Sequence, residues 1–456
     1  MANRTGFGLF FTARAVSWSG SAVTAVALPV LLYQRTGSAS LSGLLTALEA
    51  LPYLVLGLPA GALADRWDRR RTMSRCSWLS AALIAAIPAA AALDLLTTAQ
   101  LLLTGPAVSA VFVFFDAAAF GALTTLVGRD GIARATGRMM SASTLISLLG
   151  PAAAGVLIAT LDAPAAITLD ALSYTAAALL LTRLPLTLAA PPPAMPVVRG
   201  RSLTADIAEG LSYIRHHPLV RPLTLLGIGN SFTEGAVVAL IVVTAVRRFG
   251  LPPDDRRIGL LWAAAALGAL IAATVLPRLQ KTAPVGWITL GGLAANAVFL
   301  ACWARAPGLA TGLAALACWQ LANALVSLNG IVIRQQVTPD HLQGRVNATA
   351  RMIAWGGQPL GAAAAGFLAD ATTVSTALLI ACLGALLSLT AGLATPLRRA
   401  ELPEAPAAET SPAAPGRPSD AAFDRTDPGM DTATRADGVA DQRRTRFRRA
   451  PDDSAA

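Results

Sequence analysis

Charge is scarce in this chain. Asp, Glu, Lys and Arg make up 14% of its 456 residues, against roughly 25% in a soluble globular domain. Polar side chains are too few to cover a folded surface in water, which excludes an ordinary soluble enzyme. Lysine is nearly missing: Lys281 stands alone and belongs to no G-x-x-x-x-G-K-[ST] run, so ATP hydrolysis within the chain is not expected. The four cysteines, Cys76, Cys302, Cys318 and Cys382, form no C-x-x-C, which argues against a disulfide framework or a zinc ribbon; they read as small apolar core residues. Histidine is limited to His216, His217 and His341, whose spacing supports no catalytic pair, so neither an enzyme nor a metal or other cofactor is expected. The net charge of +10 does not signal nucleic acid, because the arginines are scattered between apolar runs instead of clustering with aromatics.

What the chain has in abundance is apolar length, 54% hydrophobic residues. A helix needs about 20 mostly apolar residues to cross a bilayer. Twelve stretches qualify: 8–33, 41–64, 74–94, 98–126, 138–161, 165–185, 222–246, 257–277, 284–304, 308–333, 346–369 and 373–396. The expectation is an all-α integral membrane protein whose first span is retained, since Arg14 interrupts a stretch longer than a signal-peptide core. Eighteen Arg and Lys lie in or beside the loops of one side and six on the other, which predicts both termini in the cytoplasm. The cluster Arg247, Arg248, Arg256 and Arg257 is the exception.

Residues 186–221 hold Pro191-Pro192-Pro193, Pro196 and Arg215-His216-His217, a linker composition. They divide the spans six and six, as an N-terminal half 1–185 and a C-terminal half 222–396. A shift of 213 residues sets Arg138-Met139 on Arg351-Met352, consistent with a tandem duplication. Residues 397–456, rich in Pro, Ala, Asp and Arg, read as a disordered cytoplasmic tail.

After the second span comes Gly61-Ala62-Leu63-Ala64-Asp65-Arg66-Trp67-Asp68-Arg69-Arg70-Arg71. Gly61 allows two helices to approach closely, and Asp65 with Arg66, Arg69 and Arg70 makes a charge cluster able to hold a facing helix terminus. This run resembles the loop signature of the major facilitator superfamily, with Asp68 where many members carry Gly. Tyr33-Gln34-Arg35-Thr36-Gly37-Ser38 and Leu51-Pro52-Tyr53 are similar to the bacterial exporter branch of that superfamily. The resemblance implies twelve helices in two halves, a monomer, and a latch at the signature that closes in the outward-facing state. Gly150-Pro151 with Gly155 partly matches the antiporter signature of drug exporters; Ile146 and Ala154 depart from it. Gly356-Gly357-Gln358-Pro359 reads as a kink at the corresponding place in the second half.

An ionisable side chain at membrane depth costs several kcal/mol unless it is paired, protonated or wet, so each one is a candidate for handling protons or substrate. Glu234 and Glu49 rank first by depth, then Asp116, with Asp170 last as close enough to the surface to be solvated; Arg14 is the basic counterpart. A structural ion pair or a snorkelled side chain is the alternative at each. Asn230, Asn296, Gln320, Asn323 and Asn329 either line a cavity or join helices. Trp18, Trp262, Trp319 and Trp355 either meet an apolar substrate or pack. The functional expectation is a proton-coupled exporter of amphipathic small molecules in a bacterial cell membrane, with uptake of a metabolite, a membrane-embedded enzyme and a transporter-like sensor as alternatives.

Overall fold

The computed structural model describes residues 4–64, 67–184, 203–339 and 342–399. In lipid every backbone N–H and C=O has to find its partner within its own segment, and this apolar chain meets that demand with helices. The first group is α1 (Arg4–Thr36), α2 (Ala39–Ala64), α3 (Arg69–Ala92), α4 (Thr98–Leu161) and α5 (Ala163–Thr182). Next come α6 (Leu203–His216), α7 (Val220–Arg247), α8 (Ile258–Thr282), α9 (Val285–Ala304) and α10 (Leu309–Val337). The last are α11 (Gln343–Trp355), α12 (Gly357–Ala371) and α13 (Val374–Leu393).

Eleven helical segments among the described residues are long and apolar enough to cross a membrane. Two of them lie in α4, which breaks at Gly128, where φ is +68° and ψ 172°. The stretch expected as one span at 346–369 runs instead as α11 and α12, which meet at Gly356. Two consecutive glycines weaken the helix there, and Pro359 offers no N–H to the turn that would join the pieces.

Helices α1 to α5 pack on one another, as do α7 to α13; α2 against α12 and α7, and α4 against α8, join the two groups. Lipid supplies no hydrophobic drive between helices, so close approach of small residues does this work. At the α2–α12 crossing, a Cβ on Gly43 would stand 2.9 Å from the Gly366 Cα, and one on Gly366 would stand 2.6 Å from the Ala39 carbonyl oxygen. At the α4–α8 crossing, a Cβ on Gly155 would strike the Arg256 carbonyl and one on Gly259 the Pro151 carbonyl. Large apolar side chains such as Leu103, Phe120, Phe367 and Leu387 are exposed on the outer faces, as lipid requires.

Three expectations need correction. The linker 186–221 contains a helix, α6, which the Pro and Arg content around it obscured. Leu203, Ile207, Leu211 and Ile214 recur at helical spacing, and α6 docks on α11, with Tyr213 Oη donating to the Val337 carbonyl at 2.8 Å. The cysteines are not all core residues: Cys382 is buried, but Cys302 and Cys318 lie exposed on helix faces, where lipid suits a thiol as well as a core does. Asp170 is 1% exposed, not solvated. The tail beyond residue 399 lies outside the described residues.

Candidate functional site

At one end of the bundle a carboxylate and an arginine join the two helix groups. Helix α1 stops at Thr36 because Gly37, with φ +61°, turns the chain into α2. The first amides of α2 have no partner within their own helix. Asp370, in the last turn of α12, supplies one: it accepts from the Ala39 N–H at 3.1 Å, the Ser40 N–H at 2.7 Å and Ser38 Oγ at 2.9 Å. The side chain thus caps a helix of the other group. Arg247, the last residue of α7, pairs with Asp370 at 2.7 Å and donates to the Gly37 carbonyl at 2.7 Å and to Tyr33 Oη at 2.9 Å. The neighbouring arginines are also engaged. Arg248 donates to the Ala306 carbonyl, and Arg257 grips Asp255, holding that carboxyl below its usual range. Three of the four arginines that break the charge asymmetry of the loops are therefore built into contacts at this end, and Arg256 is exposed.

The opposite end carries the signature loop. Asp65 and Arg66 lie outside the described residues, and Gly61 lies in the last turn of α2. Arg69 donates to the Gly121 carbonyl and Thr125 Oγ1, both at 2.9 Å, and Arg70 to the Leu184 carbonyl at 2.9 Å. All three acceptors belong to the first group. Among the described residues neither arginine bonds to the second.

Between the ends the acids divide into two kinds. Asp116 pairs with Arg14 at 3.0 Å, and the guanidinium lies over Trp18 and Phe115, so these two candidates form one ion pair between α1 and α4. Asp170, Glu49 and Glu234 have no cation within ion-pair distance among the described residues. Asp170 sits on the α1-facing side of α5, where Gly20 leaves the room, and accepts from Ser173 Oγ at 3.1 Å. Position along the helix suggested exposure; the face it occupies decided burial. Glu49 of α2 packs on Gly105, whose Cβ would come within 2.6 Å of its Oε1. The asparagines join helices. Asn296 Nδ2 donates to Asn230 Oδ1, Thr233 Oγ1 and Asn323 Oδ1 at 3.0–3.2 Å, while its Oδ1 accepts from Trp319 Nε1 at 3.0 Å. Asn329 bonds to Thr289 and Gln280 in the same way.

Glu234 differs from its peers by lining a narrow cleft of about 40 Å³ among α7, α10 and α11, together with Ser231, Ser327, Arg334, Arg351 and Trp355. A second hollow, also of about 40 Å³, adjoins it through Arg351 and Trp355, and reaches Tyr53 and Gly57 of α2. The Tyr53 and Trp355 rings stand 6.1 Å apart across the two groups, and the Arg351 guanidinium lies over both. This is a polar and aromatic hollow spanning the interface of two helix groups, where ligands of such bundles bind.

A family model described as transmembrane secretion effector matches residues 2–452. The chain belongs to that family, within the major facilitator superfamily. As a member of the superfamily it is a membrane transporter and not an enzyme. It is 28% identical to the multidrug efflux pump Tap of Mycolicibacterium fortuitum over 80% of this chain and 89% of that one. It is also 28% identical to the enterobactin exporter EntS of Shigella boydii serotype 4, over 79% and 85%. In fold it is similar to a bacterial homologue of the human lysosomal transporter Spinster in its inward-facing, unoccupied conformation. That likeness has a TM-score of 0.70 at 14% identity and covers 86% of this chain and 96% of that one.

Sequence reasoning passed over several residues of this facilitator's interface. Asp370 stood just beyond a span boundary, Arg247 stood out only as an exception, and Arg334 and Arg351 were counted as loop charges. The available signal for Asp370 was an acid next to the last residue of a helix, with the first amides of α2, those of Ala39 and Ser40, in need of an acceptor.

Proposed function

We propose that this facilitator is a proton-coupled secondary exporter of amphipathic small molecules, working by alternating access as a monomer in a bacterial cell membrane. The proposal places the Arg247 end outside and both termini in the cytoplasm, following the distribution of arginine, with the halves divided at 1–185 and 222–396. The observation that carries it is the asymmetry between the ends. Asp370 and Arg247 stitch the two groups together at one end, while Arg69 and Arg70 keep within one group at the other. That pattern fits a form sealed outside and open to the cytoplasm, with the cleft of Glu234, Trp355 and Tyr53 accessible from within. The signature residues Gly61, Asp65, Arg66, Arg69 and Arg70 would then engage the second half in the opposite form. Pro151 and Gly155 serve as the tight pivot of α4 on α8, while Gly150 packs against Ala22 of α1 within the first group. Glu49, Asp170 and Glu234, acids without a cationic partner, are the groups able to carry protons, with Glu234 first because it faces the cleft. The multidrug and enterobactin exporters among the relatives support the outward direction.

The test is flux of a dye and siderophore panel in inverted vesicles with and without a proton gradient. Gradient-dependent loading of at least one compound is expected, with Glu234→Gln reducing it about tenfold or more. Gradient-independent flux, or loading in the reverse sense, refutes the reading; wild-type rates in Glu234→Gln remove that residue from the proton path.

A further inference from the structure

Arg334 lies three residues from the end of α10, and its side chain is almost wholly buried. It is 6% exposed, its Nε has no hydrogen-bond partner, and it makes no ion pair among the described residues. A guanidinium stays charged under all physiological conditions, so it cannot escape the cost of burial by losing a proton. That cost is several kcal/mol for an uncompensated ion. An arginine serving only to fix topology has no need of burial, because the orientation rule acts through loop charges that stay hydrated. Arg334 instead lines the cleft, and Arg351 lines the same wall with its guanidinium stacked 5.1 Å from the Trp355 ring and 5.6 Å from Tyr53. Arg351 is also without an ion pair among the described residues. Glu234 is the one acid in the described lining, and it has no ion pair with either arginine, so two fixed positive charges face a space holding a single carboxyl.

We propose that this cleft binds an anionic group, a carboxylate, sulfonate or phosphate, between Arg334 and Arg351, while Tyr53 and Trp355 take the aromatic or apolar part of the same molecule. The planar fork of each guanidinium suits a two-oxygen acceptor. This deepens the exporter reading, on which it rests, by naming the charge of the cargo. The anion comes either from a transported solute or from a phospholipid headgroup.

The experiment uses the full chain in nanodiscs and two dyes on one xanthene scaffold, anionic fluorescein and cationic rhodamine 6G. In phosphatidylcholine discs fluorescein is expected to bind about tenfold tighter than rhodamine 6G, a difference of about 1.4 kcal/mol. Arg334→Met, which keeps bulk and removes the charge, is expected to erase that preference. Arg351→Gln, at an exposed position, is expected to weaken fluorescein about threefold and serves if the first variant does not survive purification. Equal or tighter binding of rhodamine 6G, or unchanged fluorescein affinity in both variants, overturns the proposal. Repeating the titration with phosphatidylglycerol separates the sources: competition that depends on Arg334 assigns the site to lipid headgroups, and undiminished binding assigns it to solutes. Because binding is read without transport, charge-selective binding with no flux sinks the exporter reading alone. Flux of rhodamine 6G with no fluorescein binding sinks this one alone.

Discussion

Arginine performs opposite tasks at the two ends of this bundle. Arg247 spends its donors across the interface, on Asp370 of its own group and on Gly37 and Tyr33 of the other. Arg69 and Arg70 spend theirs at home, on α4 and on Leu184, two residues past the end of α5. Residue type is the same, and what differs is whether an acceptor from the opposite group is within reach. On the alternating-access reading proposed above, a change of state would exchange one set of arginine acceptors for another. Small residues complete the contrast: Gly43, Gly366, Gly155 and Gly259 bring backbones together on the side where Arg247 bridges the groups, whereas nothing stands within 4 Å of a Cβ built on Gly57 or Gly137.

This contrast can be broken from the sealed side with a reporter cysteine at Ala47, which packs with Ala239 and Ala362 between the groups, in a chain whose native cysteines are serine. The largest effect is expected from Gly155→Leu. Its side chain collides with the Arg256 backbone, which cannot move aside as a rotamer can, and overpacking of this kind costs about 1–3 kcal/mol. Labelling of position 47 by a membrane-impermeant maleimide should rise by about tenfold to a hundredfold, and an unchanged rate would show that α4 and α8 do not hold the groups shut. Asp370→Ala comes next. It removes the acceptor of Arg247 and of the first amides of α2, and about tenfold faster labelling is expected, since hydrogen bonds to charged groups contribute about 1.5–3 kcal/mol and this one is partly exposed. Arg247→Ala added to it should change little further, because the two act as one unit. The smallest effect belongs to Arg69→Ala, whose bonds stay within one group: labelling at position 47 should stay within about twofold of the parent. A large rise would mean that the loop of Arg69 already governs the sealed end.

Much of the architecture was readable because lipid imposes a simple rule, about 20 apolar residues per crossing, that sequence obeys visibly. The α11–α12 break was readable too, since Gly356, Gly357 and Pro359 act through local backbone chemistry. What escaped was anything decided by a partner on another helix. Asp170 seemed shallow because its depth along α5 was known and the absent side chain of Gly20 opposite it was not. Arg14 and Asp116 stood as separate candidates 102 positions apart until packing of α1 on α4 made them a pair. Arg334 read as a loop charge because the boundary of its span was drawn at 333, one residue short of it, while α10 continues to Val337. Asparagines offered two readings, cavity or glue, and only the four bonds of Asn296 chose between them.

The cap that Asp370 places on α2 has a further consequence. If the groups part at that end, the amides of Ala39 and Ser40 lose their acceptor, and the only replacement at hand is solvent. Opening of this end therefore has to hydrate the first turn of α2 and the Asp370 carboxylate in the same step.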